Sequence, residues 1–433
     1  MEKISRKNNK IAGFSQLLSK RFDQFSTDYW PSFYLKAKGT SVLCSDKNWY
    51  KDMSISGIGA CLFGYANEEI DESVIDQIKK GVATSLNSHL ENEVANLLLS
   101  FVPDHDFVRY AKGGGEAMSI AVRIARAYTR KSKVLFSGYH GWSDWYLAAN
   151  LEKKTNLNNH LISNLAPQGI PIELIGTSIP FEYDDIEDLQ KKLDLNKGEV
   201  ACIVMEPARS KGANQNYLDQ VQELSVRYKV PLIFDEISCG FRQTNGPYSG
   251  QFNVMPDIYV FAKAIGNGYP IAAITGSSKI MRKFEDTFVS STNWTEAIGL
   301  AAAKSVLQVF KDGSPETEIV ALGDYWKSTV TKIADSHDFS LNVQGLPGMQ
   351  YLSHPPNSDL FRTFFTVYGL QKKMLVAGRY YPNTAQTFSD IDTYGEILSS
   401  AIKTFKNFDE RERNDFAGRV LPGGFNCLNS YGN

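Results

Sequence analysis

The chain has no apolar run approaching the roughly 20 residues that cross a bilayer as a helix. Its basic opening, MEKISRKNNKIAGFSQLLSKRF, has neither a continuous apolar core nor a small-residue cleavage site, so no secretory leader is signalled. Cysteine is scarce: Cys44, Cys61, Cys202, Cys239 and Cys427 are odd in number, scattered and without a CxxC pair, which argues against a disulfide framework and a zinc site. A marked excess of charge of one sign is also missing. A formal net charge of -2 leaves no basic field to hold nucleic acid or an anionic membrane. No internal repeat or low-complexity linker stands out. The expectation is a cytoplasmic protein that handles a small molecule and needs no metal.

What is present is an ordinary globular balance, 42% hydrophobic and 22% charged, in 433 residues. That length is about two to three times a typical domain, enough for one large core with a second lobe. Short apolar runs alternate with stretches of helical period, the pattern of an α/β protein with a mostly parallel sheet. Four runs share one design: KVLFSGYH (Lys133 to His140), ACIVMEP (Ala201 to Pro207), VPLIFDE (Val230 to Glu236) and IYVFAKA (Ile258 to Ala264). Each ends in a polar or aromatic group, namely Tyr139 and His140, Glu206, Asp235, and Lys263. Ligands of open α/β sheets bind beyond the carboxyl ends of the strands, so these termini are expected to converge on one crevice. A helix is expected after the glycines of GGGEAMSIAVRIARAYTRKSK, with Ala117, Ile120, Ala121, Ile124 and Ala125 on its buried face. A second, Tyr217 to Lys229, joins the Glu206 and Asp235 strands, and a third, weakly charged and buried in its first half, begins near Trp294. Residues 71–315 are read as the large domain, and 1–70 with 316–433 as segments of a smaller one.

Gly113, Gly114 and Gly115 precede a helix whose unpaired N–H groups attract an anion. They match neither the P-loop, since Glu116 stands where its lysine would follow, nor the dinucleotide pattern, whose last glycine is replaced by Met118. Lys263 falls between an apolar run and a glycine-rich turn, where a solvated lysine is out of place. A lysine and an aspartate at strand ends, an anion cradle and an aromatic ring are together what pyridoxal phosphate requires: a Schiff base, a partner for the pyridinium nitrogen, an anchor and a stacking face.

These parts carry a resemblance. FDEISCGFR, then MPDIYVFAKAIGNGYP, with the interval from Asp235 to Lys263, resemble the class III (subgroup II) pyridoxal-phosphate aminotransferases of fold type I, and among them most the glutamate-1-semialdehyde 2,1-aminomutases. The likeness runs from about Lys36 to the end of the chain and is densest between Val108 and Ala303. It implies pyridoxal 5′-phosphate as cofactor, Lys263 as its Schiff-base lysine and catalytic base, and Asp235 as the carboxylate at the pyridine nitrogen. It further implies Gly114 and Gly115 as phosphate donors, Tyr139 as the stacking ring, Ile237 on the opposite face, and Thr292 reaching the cofactor of a neighbouring subunit, hence a homodimer. Glu206 either braces the site or caps a turn, and His140 either touches the cofactor or satisfies a backbone carbonyl. Arg209 and Arg242 are open between clamping a substrate carboxylate and a structural ion pair.

The departures from the aminomutase pattern lie on the substrate side. Three glycines replace the hydroxyl-bearing phosphate loop, Trp142 stands where a second histidine is common, the stretch after Glu206 diverges, the segment from Lys279 to Ser291 is short, and no NSPVR segment occurs in FSTDYWPSFYLKAKG. An aminotransferase acting on a sugar or another carbonyl compound is therefore the alternative to an aminomutase. A non-catalytic binding protein of the same fold is a remote third reading, opposed by the retention of both Lys263 and Asp235.

Overall fold

The computed structural model describes residues 10–160, 165–208, 212–354 and 358–420. The chain divides into two compact units, one of Glu68–Glu316 and one of Met1–Asn67 with Thr317–Asn433.

The larger unit is built on a seven-stranded sheet in the order Phe107–Ala111, Ala272–Gly276, Ile258–Phe261, Leu232–Asp235, Val200–Met205, Lys133–Ser137 and Ser178–Pro180. Only Ala272–Gly276 runs against its neighbours; the other contacts are parallel. Every residue of Val200–Met205, Leu232–Asp235 and Ile258–Phe261 is buried. That two-sided burial is why these strands read as unbroken apolar runs rather than as alternations. Each fully buried Val, Leu, Ile or Phe among them contributes roughly 1.5–3 kcal/mol.

The four strands singled out in the sequence are contiguous in this sheet. Ser137 lies beside Met205, Met205 beside Phe234, and Phe234 beside Tyr259, so their carboxyl ends stop nearly level. The residues that follow therefore leave from one edge. Parallel neighbours need a crossover, and the helix Gln215–Tyr228 supplies it between Val200–Met205 and Leu232–Asp235.

The helix after the glycines spans Gly114–Thr129, and all five of its predicted core residues are buried. Its start is set by Glu116, whose carboxylate accepts the N–H of Lys112 at 2.9 Å. Its end is set by Arg130, which turns into the left-handed region at φ 58. The helix expected from Trp294 begins instead at Ile298. The Glu296 carboxylate accepts the N–H groups of Ile298 at 2.8 Å and Gly299 at 3.3 Å, capping the helix there and leaving Thr292–Thr295 as a separate 3-10 turn. As expected, Leu300, Ala301, Ala302 and Ala303 in its first half are buried.

In the smaller unit the two terminal segments share one sheet: Met374–Leu375 pairs in parallel with Trp49–Asp52, itself the third strand of a meander begun by Tyr34–Lys38 and Ser41–Cys44. Their shared core includes Met53 with Trp326, whose ring stacks on that of Tyr380 at 4.8 Å.

Candidate active site

The DEISCGFR stretch explains the paired acids by alternation. Asp235 closes its strand, and Glu236, the next residue, takes the opposite side. Asp235 is 3% exposed. Its Oδ2 lies 2.8 Å from Nδ1 of His140 and its Oδ1 accepts the N–H of Ile237 at 3.1 Å. Glu236, also buried, accepts the N–H groups of Tyr248 and Ser249 at 2.9 Å, the Ser249 hydroxyl at 2.7 Å and the Cys239 thiol at 3.1 Å. Burial pushes its carboxyl above the ordinary range despite those four donors. One acid is presented; the other fastens the return loop that follows it.

Lys263 comes one extended residue, Ala262, after the strand Ile258–Phe261, and its own backbone is left-handed at φ 53. That conformation costs a non-glycine residue about 1–3 kcal/mol, so the surrounding structure imposes it. The partly buried amine donates to Oγ of Ser238 at 2.5 Å. Burial first, and the Arg242 guanidinium second, hold its pKa below the usual lysine value, while Asp235, Glu206 and Cys239 pull the other way. Arg242, 1% exposed, donates its Nε–H to the carbonyl of Ser238 at 2.9 Å. Arg209 lies outside the described residues.

The remaining predicted residues fall into two groups. Tyr139, Glu206, His140, Ile237, Gly114 and Gly115 are brought together. Glu206 accepts the backbone N–H of Tyr139 at 3.0 Å, a bracing contact. Burial, then Asp235 and Glu206, raise the Tyr139 phenol. His140 bonds neither a backbone carbonyl nor open solvent: its Nδ1 takes Asp235, and its buried Nε2 has no hydrogen-bond partner among the described residues. Ile237 lies against the glycine loop, since a Cβ on Gly114 would come 2.8 Å from Ile237 Cδ1. Thr292 stands apart, exposed on its 3-10 turn.

Three contributors were not singled out in the sequence. Gly141, at φ 101, lets its backbone meet the glycine loop: a Cβ there would sit 2.8 Å from Gly115 Cα. Its signal is the glycine that closes YHG. Tyr146 puts its hydroxyl within 2.9 Å of the Gly138 carbonyl and 3.0 Å of the His160 carbonyl, steadying the turn that bears Tyr139. Ser238 meets Lys263 only because of the turn geometry at both residues, which no local pattern announces.

The arrangement supplies a partly buried amine of lowered basicity, a buried carboxylate fixed by an imidazole, and helix N–H groups approached by glycines. Among solved structures the chain is similar to the FumI protein of Sphingopyxis sp. MTA144, with TM-score 0.81 and 21% identity over 90% of this chain and 93% of that one. It is similar also to an omega-transaminase from Sphaerobacter thermophilus, with TM-score 0.78 and 20% identity over 89% and 94%. The fold is fold type I of the pyridoxal-phosphate enzymes, an α/β architecture around a mostly parallel sheet. The signature of the family described as "Aminotransferase class-III" matches residues 24–359, and the chain belongs to that family. It is 32% identical over 351 residues to 3-aminobutyryl-CoA aminotransferase of Cloacimonas acidaminovorans, covering 79% of this chain and 80% of the relative. It is 30% identical over 337 residues to glutamate-1-semialdehyde 2,1-aminomutase of Methanosphaera stadtmanae, covering 76% and 78%.

Proposed function

We propose that the chain transfers an amino group between a small-molecule donor and a carbonyl acceptor, with Lys263 as the amine that binds pyridoxal 5′-phosphate covalently. The observation that carries this reading is the partly buried Lys263 amine, bonded to Ser238 and of lowered pKa, under the influence of the buried Asp235.

The residues fit the cofactor. Gly114 and Gly115 open a sixteen-residue helix, and their N–H groups, which have no intrahelical acceptor, would meet its phosphate. The close approach of Gly141 to Gly115 leaves that loop bare of side chains, so backbone replaces the hydroxyl usual in the family. Tyr139 and Ile237 would flank the ring. When bound, pyridoxal 5′-phosphate supplies the ring that draws off the electron pair left at the substrate carbon. Asp235, oriented by His140 and the Ile237 N–H, would hold a proton at the ring nitrogen. Lys263 Nζ, released when the substrate amine takes its place on the cofactor and inclined to the neutral form by its lowered pKa, would take the proton from the substrate carbon bearing the nitrogen and return it on the product side. Glu206 keeps Tyr139 in place through its N–H.

The exposure of Thr292 supports a homodimer with shared sites, in which this threonine serves the neighbouring subunit's cofactor. The large cofactor-binding domain is assigned to 71–315. No helix among the described residues is long and apolar enough to cross a membrane, and a cytoplasmic location is proposed with the rest.

Two substrate readings follow from the relatives. Transfer between separate molecules is favoured by the departures around Trp142 and after Glu206; an internal exchange on glutamate-1-semialdehyde is favoured by the aminomutase relatives. Single-turnover spectra distinguish them. Glutamate, 4,5-diaminovalerate, 3-aminobutyryl-CoA and a set of amino sugars are added separately to the holoenzyme, and conversion to the pyridoxamine form is followed. Conversion by the diamine, with 5-aminolevulinate formed from glutamate-1-semialdehyde, identifies the aminomutase. Conversion by another donor without that product identifies an intermolecular aminotransferase. No conversion by any amine overturns amino transfer itself.

A further inference from the structure

The proposed chemistry gives no part to the hydroxyl of Ser238, which lies against the Lys263 amine. This residue lies in the turn that carries the chain away from Asp235 and is partly buried. Its carbonyl is held by the Nε–H of the buried Arg242 at 2.9 Å, and its Oγ is 2.5 Å from Lys263 Nζ. The backbone is thereby fixed by one partner and the side chain is left to the other.

A lysine that acts as a base must change protonation without losing its place. Its four-carbon stem is flexible, and disorder at the tip costs rate because the reacting atoms must stay aligned. The stem of Lys263 is directed at its root by the left-handed backbone at φ 53. At the tip, a hydroxyl can serve both protonation states. It has one proton and two lone pairs, so it accepts from an ammonium and donates to a neutral amine. An ionised carboxylate can only accept, and an arginine can only donate.

We propose that Ser238 is a positioning residue for Lys263, whose hydroxyl stays bonded to the amine in both protonation states and keeps it aimed while the proton moves. This rests on the reading of Lys263 as the working amine. The other charged and titratable groups that face the amine are Arg242, Asp235, Glu206 and Cys239; Arg242 disfavours its ammonium form and the other three favour it. The charge-assisted bond to the ammonium is stronger than the neutral bond to the amine, so loss of the hydroxyl disfavours the ammonium more than the neutral form.

The test compares wild type with S238A and S238T. In cofactor-free enzyme, the pH dependence of Lys263 carbamoylation by cyanate is read by peptide mass spectrometry. The S238A midpoint is expected to fall by about one pH unit. In the holoenzyme, S238A is expected to lose about 10- to 100-fold in kcat, with the KM of the amino donor held within about threefold. S238T, which keeps the hydroxyl, returns both quantities to within about threefold of wild type. An S238A midpoint equal to that of wild type overturns the proposal whatever the activity does, because a structural role alone would leave the amine's titration unmoved. S238T behaving as S238A overturns it too. If K263A retains colour and turnover, it is the assignment of Lys263 that fails; the cyanate midpoint needs no cofactor and reports on the Ser238 contact separately.

Discussion

Asp235→Asn separates the fold from the chemistry. The carboxylate is 3% exposed, takes the Ile237 N–H on Oδ1 and faces His140 Nδ1 on Oδ2. Asparagine keeps the shape and can still accept from Ile237 through its amide oxygen. Its amide nitrogen then faces His140, whose neutral ring can present Nδ1 as an acceptor by shifting its proton to Nε2. At most one charge-assisted bond is exchanged for a neutral one, a loss of about 1–2 kcal/mol. The consequence for the reaction is far larger. Two unit charges about 4 Å apart at an effective dielectric near 20 interact by about 4 kcal/mol, and losing an interaction of that size would cost close to a thousandfold in rate. The assay is the rate of conversion to the pyridoxamine form with a saturating donor, beside a urea unfolding curve of the same preparation. A fall of about a thousandfold with stability lowered by no more than about 2 kcal/mol is expected. D235N protein retaining a tenth of the wild-type rate would refute the reasoning.

Lys263 bears on stability with a definite sign. Its folded pKa lies below its ordinary 10.5, so between those values the unfolded chain binds the extra proton and stability rises with pH; the penalty is fully present below the folded value. Cofactor-free K263M is therefore expected to have a higher urea midpoint than wild type at pH 7, with the gap closing towards pH 10.5. Glu236→Ala strips the acceptor from four donors at Tyr248, Ser249 and Cys239, and should cost about 3–6 kcal/mol in urea unfolding; a loss below about 1 kcal/mol would show that Glu236 does not hold its loop. Gly141→Ala drives a Cβ to within 2.8 Å of Gly115 Cα and strains a φ of 101, so titration of the cofactor-free enzyme with pyridoxal 5′-phosphate should show affinity weakened about tenfold or more, with the circular dichroism spectrum unchanged.

The four central strands were legible because burial on both faces left them as unbroken apolar runs, each ended by a polar group. The face of Gly114–Thr129 was legible because its small residues recur at helical spacing. The flanks were harder. Phe107–Ala111 is half exposed and carries Arg109 in its middle, so it shows neither a buried run nor a strong turn boundary. The helix start at Ile298 depends on where the Glu296 carboxylate points, and a Trp-Thr-Glu sequence does not disclose that. At the site, residue types at strand ends and before a helix drew attention to Lys263, Asp235, Gly114, Gly115 and Tyr139, and the family resemblance supplied the roles proposed for them. Three things depended instead on backbone conformation that lysine and serine rarely signal: the bond from His140 to Asp235, the left-handed Lys263 and its contact with Ser238. Glu236 was legible as an acid beside Asp235, but three of its four donors come from Tyr248 and Ser249, in a turn that closes more than ten residues later.

Reduction of the purified holoenzyme with borohydride, followed by peptide mapping, tests the assignment of Lys263 most directly. The predicted result is irreversible loss of the visible band and of activity, with the cofactor's mass added to the peptide containing Lys263 and to no other. Cofactor fixed on a different lysine, or full activity with nothing fixed at Lys263, would contradict it.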